Sequence, residues 1–195
     1  MRKYQVQGNL FVEESRLCEF LLILPLPNSI REQVLVFKEE FRLMYGPYNS
    51  RHAEPYIRVC DFLLFEHRTY DTLIFFKKRL KSLPTFTLNI NGFDSYSTTK
   101  SIFLRVDECA EYRNLLTEVD LTRQMLRLKK NYFQNREIRI PVASNLAPHV
   151  FYEARDVFAK RKCETGFRVS HMDILKYDFI TRKYQLFGQI PFGSC

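Results

Sequence analysis

Two short segments of the chain begin in the same way. Pro55 is followed by Tyr56 and an aliphatic residue, and Pro148 is followed by His149 and an aliphatic residue. Each proline precedes an apolar run, and proline is compatible with the first residue of a strand. Successive side chains of a strand point to opposite faces, so Tyr56 and Arg58 should lie on the same face of the first predicted strand. This repeated signature predicts two similar lobes around a shared cleft, with strands at 55–60 and 148–153.

The charge of the chain favours an anionic partner. It has 195 residues, with 30 Lys and Arg against 22 Asp and Glu, which gives a net charge of +8. Such an excess suits a nucleotide, RNA or an acidic surface. A generally basic protein with no polyanionic partner is the alternative. The length fits one domain or two small fused lobes.

The cysteines indicate a reducing compartment. There are five, an odd number, and no two form a C-x-x-C pair. This spacing argues against a disulfide framework and against a zinc site, so we expect no metal and no cofactor. The most apolar run, at 20–26, is too short to span a bilayer and follows acidic residues, unlike a signal peptide. We therefore expect a cytoplasmic protein without a membrane partner.

The hydrophobic periodicity alternates between strand and helix along the whole chain. A loop is expected over 131–146, between the longest helix and the second signature strand. The order predicts an α+β fold, with two lobes of mainly antiparallel sheet and outer helices. The predicted strands are 17–25, 55–65, 85–91, 101–106, 148–153, 166–177 and 182–190. One predicted helix begins at Asn28, and the other predicted helices cover 70–83, 108–131 and 155–162.

One face of the longest predicted helix, 108–131, is basic. Arg123, Arg127 and Lys130 follow one another at spacings of four and three residues. Residues at these spacings are neighbours on a helix surface. The stripe is a candidate contact for an RNA backbone, or else an ordinary solvated helix face.

Several of these segments together resemble the 2H phosphoesterase superfamily, which includes 2′-5′ RNA ligases and 2′,3′-cyclic phosphodiesterases. The resemblance covers roughly residues 17–192 of a single domain, 1–195. It rests on the first strand and helix, PYIRV at 55–59, the hairpin at 92–106, APHV at 147–150 and the closing KYQLF at 183–187. It implies two signature sites of Pro-His-hydrophobic-Thr or Ser. Their histidines would exchange protons across one phosphate, and their hydroxyls would hold its oxygens.

The chain departs from this signature at three of the four positions. Tyr56 replaces the first histidine, Arg58 the first threonine and Phe151 the second, which leaves His149. A tyrosine with a pKa near 10 is a poor base at neutral pH, and phenylalanine donates no hydrogen bond. The catalytic candidates are therefore His149 and Tyr56. The candidate phosphate-binding residues are Arg58, Tyr56 and His149.

Three functions remain open on the sequence. The first is a degenerate family member that binds a nucleotide or RNA phosphate with little or no catalysis. The second is an active phosphodiesterase or ligase-like phosphoesterase that uses His149 with Tyr56. The third is an interaction protein with a vestigial cleft. A literal H-x-T at His67 lies at the start of a helix, where Thr69 is more simply explained as a helix cap.

Overall fold

The chain folds into two antiparallel sheets with helices on their outer faces. A computed structural model describes residues 16–128, 133–134 (backbone only) and 137–193. The α+β class predicted from the sequence is confirmed. The strands are β1 (Leu17–Pro25), β2 (Tyr56–Phe65), β3 (Phe86–Tyr96), β4 (Ser101–Val106), β5 (Phe133–Gln134), β6 (Arg139–Ala143), β7 (Glu164–Val169), β8 (His171–Asp178) and β9 (Lys183–Pro191). The helices are α1 (Asn28–Tyr45), α2 (Thr69–Leu80), α3 (Ala110–Met125) and α4 (Pro148–Phe158), with single 3-10 turns at Asn49–His52 and Glu66–Arg68.

Each lobe contains one sheet. The five-stranded sheet has the order β5-β2-β1-β8-β9, and the four-stranded sheet has the order β6-β4-β3-β7. All pairs are antiparallel. The chain changes sheet at Ser170, between β7 and β8. The sequence predicted one strand over 166–177, which is wrong: Phe167 and Val169 are buried in β7, but the next buried residue is Met172, so the alternation shifts by one residue at Ser170.

Aromatic rings fix the helices to one face of each sheet. Phe62 of β2 stacks on Phe20 of β1 at 5.7 Å and on Phe76 of α2 at 5.6 Å. In the other sheet, Phe93 meets Phe37 of α1 at 5.0 Å and Phe158 of α4 at 5.2 Å. The helix-covered faces therefore form the core. On the opposite face of the five-stranded sheet, half-buried polar side chains such as Tyr56 and Arg58 lie beside apolar ones such as Ile23.

The second signature segment is a helix, and the strand predicted over 148–153 is wrong. Pro148 is the first residue of α4, where its fixed φ and missing N–H are tolerated. Phe151, Ala154 and Phe158 are buried at intervals of three and four residues, which is the helical period. Proline before an apolar run is compatible with either element, and this spacing decides for the helix.

The long helix is shorter than predicted, which divides the basic stripe. Helix α3 ends at Met125, and Arg127 has a φ of 49°, in the left-handed region that follows many helix ends. Arg123 remains on the helix but forms an ion pair with Asp120 at 2.7 Å. Lys130 lies outside the described residues. Arg123 and Arg127 therefore do not form one continuous helical face.

The aromatic stack predicts where a truncation destabilises the fold. Replacing Phe62 by alanine leaves a cavity between two rings, and we expect a loss of about 3–5 kcal/mol in the free energy of unfolding. Urea denaturation measures this loss. Phe187, which also contacts Phe20 but is 46% exposed, is the matched control. An equal loss for Phe187→Ala would show that the stack is not the main contributor.

Candidate functional site

The two lobes meet where β2 and β6 lie against each other. The Ser144 N–H, just after β6, donates to Ser50 Oγ at 2.9 Å, ahead of β2. At the other end, β5 precedes β6 and pairs with Cys60 and Asp61 of β2. The two strands therefore run in opposite directions, and the end of β6 lies beside the start of β2.

The two lobes repeat one irregularity in their strand pairing. Where β1 pairs with β2, the register shifts so that Val59 has no partner, and the pair after it is Ile23 with Arg58. Where β4 pairs with β6, the register shifts so that Val142 has no partner, and the next pair is Phe103 with Pro141. Such an extra residue is a β-bulge, which fixes the register around it.

The matching bulges align the two strands residue by residue. Arg58 corresponds to Pro141, and two positions earlier Tyr56 corresponds to Arg139. In the second lobe, the counterpart of Tyr56 is therefore Arg139 on β6. It lies in the stretch 131–146, which was predicted to be a loop. His149 lies on the first turn of α4 with an exposed side chain, and Phe151 is completely buried in the core.

Tyr56 and Arg58 lie on the uncovered face of the five-stranded sheet. Both are half-buried, and Arg58 Nη2 is 2.7 Å from the carboxylate of Asp61. Burial raises the pKa of Tyr56, and the nearby charge of Arg58 lowers it in part. A tyrosine with a raised pKa remains protonated at neutral pH, so Tyr56 is a hydrogen-bond donor and not a base.

Tyr184 of β9 completes this cluster. Its hydroxyl donates to the carboxylate of Glu19 on β1. Burial and this carboxylate raise the pKa of Tyr184, and the charge of Arg58 lowers it in part. Tyr184 was not among the predicted site residues, because its position depends on a contact between β9 and β1.

Arg139 lies over aromatic rings at the start of β6. Its guanidinium is 4.7 Å from the centre of the Tyr96 ring and 5.6 Å from that of Phe103. Burial lowers the pKa of Arg139, and the charge of Glu137 opposes this effect. Within the described segments it forms no ion pair. The rings hold the cation by cation–π contact and leave its N–H donors available.

The arrangement suits anion binding better than proton transfer. Arg58 and Arg139 are permanent cations with several donors, and Tyr56 adds a protonated hydroxyl. None of the four aligned positions (Tyr56, Arg58, Arg139 and Pro141) is a histidine. Within the part of the chain that is described, no group of three or more His, Cys, Asp or Glu side chains could hold a metal ion.

A buried lysine positions the loop that leads into β2. Lys38 of α1 is 2% exposed, and its Nζ donates to the carbonyls of Ser50 at 3.1 Å and Ala53 at 2.6 Å. The Tyr48 hydroxyl donates to the carbonyl of Val142 on β6 at 3.2 Å. The same loop therefore contacts α1 and β6 immediately before Tyr56.

Solved structures of known proteins share this fold. E. coli LigT complexed with 3′-AMP superposes with a TM-score of 0.64 at 12% identity, over 92% of this chain and 100% of LigT. A protein described as a phosphoesterase gives 0.62 at 11% identity, over 92% and 100% of the two chains. TT0787 of Thermus thermophilus gives 0.59 at 11%, over 89% and 97%.

The chain has the fold of E. coli LigT, so the architecture implied by the resemblance noted in the sequence is confirmed. No protein-family model matches the chain, and neither does any curated protein. Other structures of E. coli LigT contain ATP, NADP+ or phosphate. None of the helices within 16–128 and 137–193 has the length and apolar character needed to cross a membrane.

The buried lysine predicts a pH dependence of stability. Burial lowers the pKa of Lys38 from 10.5 to about 8. Between these values the unfolded chain binds a proton that the folded chain does not, so this contribution to stability rises with pH. Relative to Lys38→Met, we expect the wild-type protein to gain about 1–3 kcal/mol between pH 7.5 and 10.5.

Urea denaturation at several pH values measures this difference. The exposed Lys77 of α2 provides the control, because Lys77→Met removes one positive charge from the surface. A difference between wild type and Lys38→Met that stays constant with pH would contradict the expected titration.

Proposed function

We propose that this protein binds a nucleotide or RNA phosphate between β2 and β6 and catalyses little or no phosphodiester cleavage. The observation that carries the proposal is that both strands at the meeting of the two lobes carry an arginine, Arg58 two positions after Tyr56 on β2 and Arg139 at the start of β6. One guanidinium group can donate hydrogen bonds to two oxygens of the same phosphate, and these hydrogen bonds are charge-assisted. The nucleotide complexes of E. coli LigT support the choice of ligand class.

The low activity follows from the proton-transfer groups. Opening a cyclic phosphate needs a base on one side of phosphorus and an acid on the other, and each transfer contributes about 10²–10⁴ in rate. Arginine is not a base at neutral pH, and the raised pKa of Tyr56 makes it a weak acid as well. An active phosphodiesterase that uses His149 with Tyr56 is the second candidate, supported only by the family signature.

The free cysteines fit a cytoplasmic location.

Removal of either arginine should weaken binding. We expect Arg139→Ala to reduce the affinity for a mononucleotide by about 1.5–3 kcal/mol. Arg58→Ala should have a similar effect, because it also leaves the Asp61 carboxylate without this ion-pair partner beside the phosphate. Calorimetry at low salt measures both variants. Arg113→Ala, an exposed arginine of α3 that pairs with Glu108, is the control for the loss of one charge.

If no nucleotide binds at low salt, or if Arg58→Ala and Arg139→Ala behave like Arg113→Ala, the cleft is vestigial and an interaction protein becomes the better description. His149→Ala should leave the affinity unchanged, because His149 is exposed on α4 and not on β6.

Hydrolysis of 2′,3′-cyclic nucleotides should be at least about a hundredfold slower than in a family member with both histidines. Product formation from 2′,3′-cyclic AMP at neutral pH measures this rate. Fast turnover that disappears in His149→Ala would support the active phosphodiesterase instead. Fast turnover lost in His67→Ala would assign the reaction to the H-x-T at that position.

A further inference from the structure

A groove of about 720 Å³ opens next to Tyr56 on the uncovered face of the five-stranded sheet. Tyr56 and Tyr184 line it, with Ile23 and Leu175 between them on β1 and β8. The volume is within the range of small-molecule sites, roughly 300–1,000 Å³, and apolar side chains with a few polar groups are typical of such sites. The groove can therefore hold a group of nucleoside size.

One end of the groove adjoins the proposed phosphate site. Tyr184 and Tyr56 both line it, and the charge of Arg58 acts on the Tyr184 hydroxyl. Arg58 follows Tyr56 by two residues on the same face of β2. A ligand whose phosphate contacts Arg58 therefore has the groove directly beside it.

The other end is positively charged. Arg182 and Lys183, at the turn between β8 and β9, also line the groove. Both are exposed, and neither forms an ion pair with any residue that the structure describes. The Arg31 guanidinium, by contrast, pairs with Glu54 at 3.0 Å. Two cations without a carboxylate partner at the mouth of a ligand-sized groove are complementary to an anion.

We infer that the groove binds a nucleoside with a phosphate on each side, as in a nucleoside bisphosphate or an internal residue of a short single-stranded RNA. One phosphate contacts Arg58 and Arg139, the base and ribose lie between Tyr56 and Tyr184, and the second phosphate contacts Arg182 and Lys183. The inference rests on the proposed function and specifies its ligand.

Two physical terms favour this ligand, and the second of them distinguishes it from a nucleoside monophosphate. Stacking of a base on an aromatic ring contributes about 1–3 kcal/mol and tolerates any base. A second phosphate adds charge-assisted hydrogen bonds to a pair of cations that a nucleoside monophosphate leaves unused. The affinity should therefore depend on both phosphates, and the salt dependence should be steeper for the ligand with two phosphates.

Calorimetry with the full chain at low salt tests the inference. The probes are adenosine 5′-monophosphate, adenosine 3′,5′-bisphosphate and the trinucleotide ApApA, whose central adenosine has a phosphate on each side. We expect the bisphosphate to bind at least about tenfold more tightly than the monophosphate. Comparable binding of ApApA would extend the ligand to RNA, whereas weak binding of ApApA beside tight binding of the bisphosphate would assign the groove to a free nucleotide.

Two double variants and two substitutions of Tyr184 locate the effect. Arg182→Ala with Lys183→Ala should remove the advantage of the bisphosphate over the monophosphate. Lys77→Ala with Lys81→Ala removes two exposed charges near α2 and should preserve the advantage. Tyr184→Leu should weaken every adenosine ligand by about tenfold, whereas Tyr184→Phe, which keeps the ring, should not.

The outcomes separate the two proposals. If the bisphosphate binds no better than the monophosphate, or if both double variants have equal effects, the second phosphate site is wrong. Monophosphate binding that still depends on Arg58 would leave the proposed function intact. If neither nucleotide binds, the proposed function fails, and the groove has no nucleotide ligand.

Discussion

The contact between β2 and β6 is the constraint on which the candidate site depends. Each strand belongs to a different sheet, and the site exists only where their uncovered faces adjoin. The loop before β2 secures this contact, because the buried Lys38 ammonium holds two of its carbonyls while Ser50 and Tyr48 bond to the end of β6 and the residue after it. Burying an ammonium is costly, and the two carbonyls offset part of that cost.

Local pattern was sufficient to predict several strands of both sheets. The strands at 17–25 and 55–65 and the hairpin partner at 101–106 have nearly the bounds expected, because each is a short apolar run with a clear end. The resemblance to the family therefore led to Tyr56 and Arg58 on a real strand. Neither residue's functional role follows from the fold alone.

The second half of the site could not be predicted in the same way. Pro148 and His149 match part of the family's sequence signature. However, Phe151 and Ala154 are buried at helical spacing, so this segment forms a helix and not a strand. The counterpart of Tyr56, Arg139, lies in a five-residue strand. The buried apolar residues Ile138, Ile140 and Val142 alternate with other residues there, but this alternation is too short to distinguish a strand from a loop. Only the strand register, with its repeated bulge, aligns Arg139 with Tyr56. That register depends on contacts between distant segments, which a single sequence does not display.

The change of sheet at Ser170 has a consequence for synthesis of the chain. Strands β8 and β9 return to the first sheet after the second sheet has been completed, and β8 pairs with β1, about 150 residues earlier. During translation, β1 therefore has an unpaired edge until nearly the whole chain has left the ribosome. Unpaired edges attract other strands. The Tyr184 wall of the groove is therefore among the last parts to form, and a nascent chain can present a nearly complete second lobe well before the candidate site is complete.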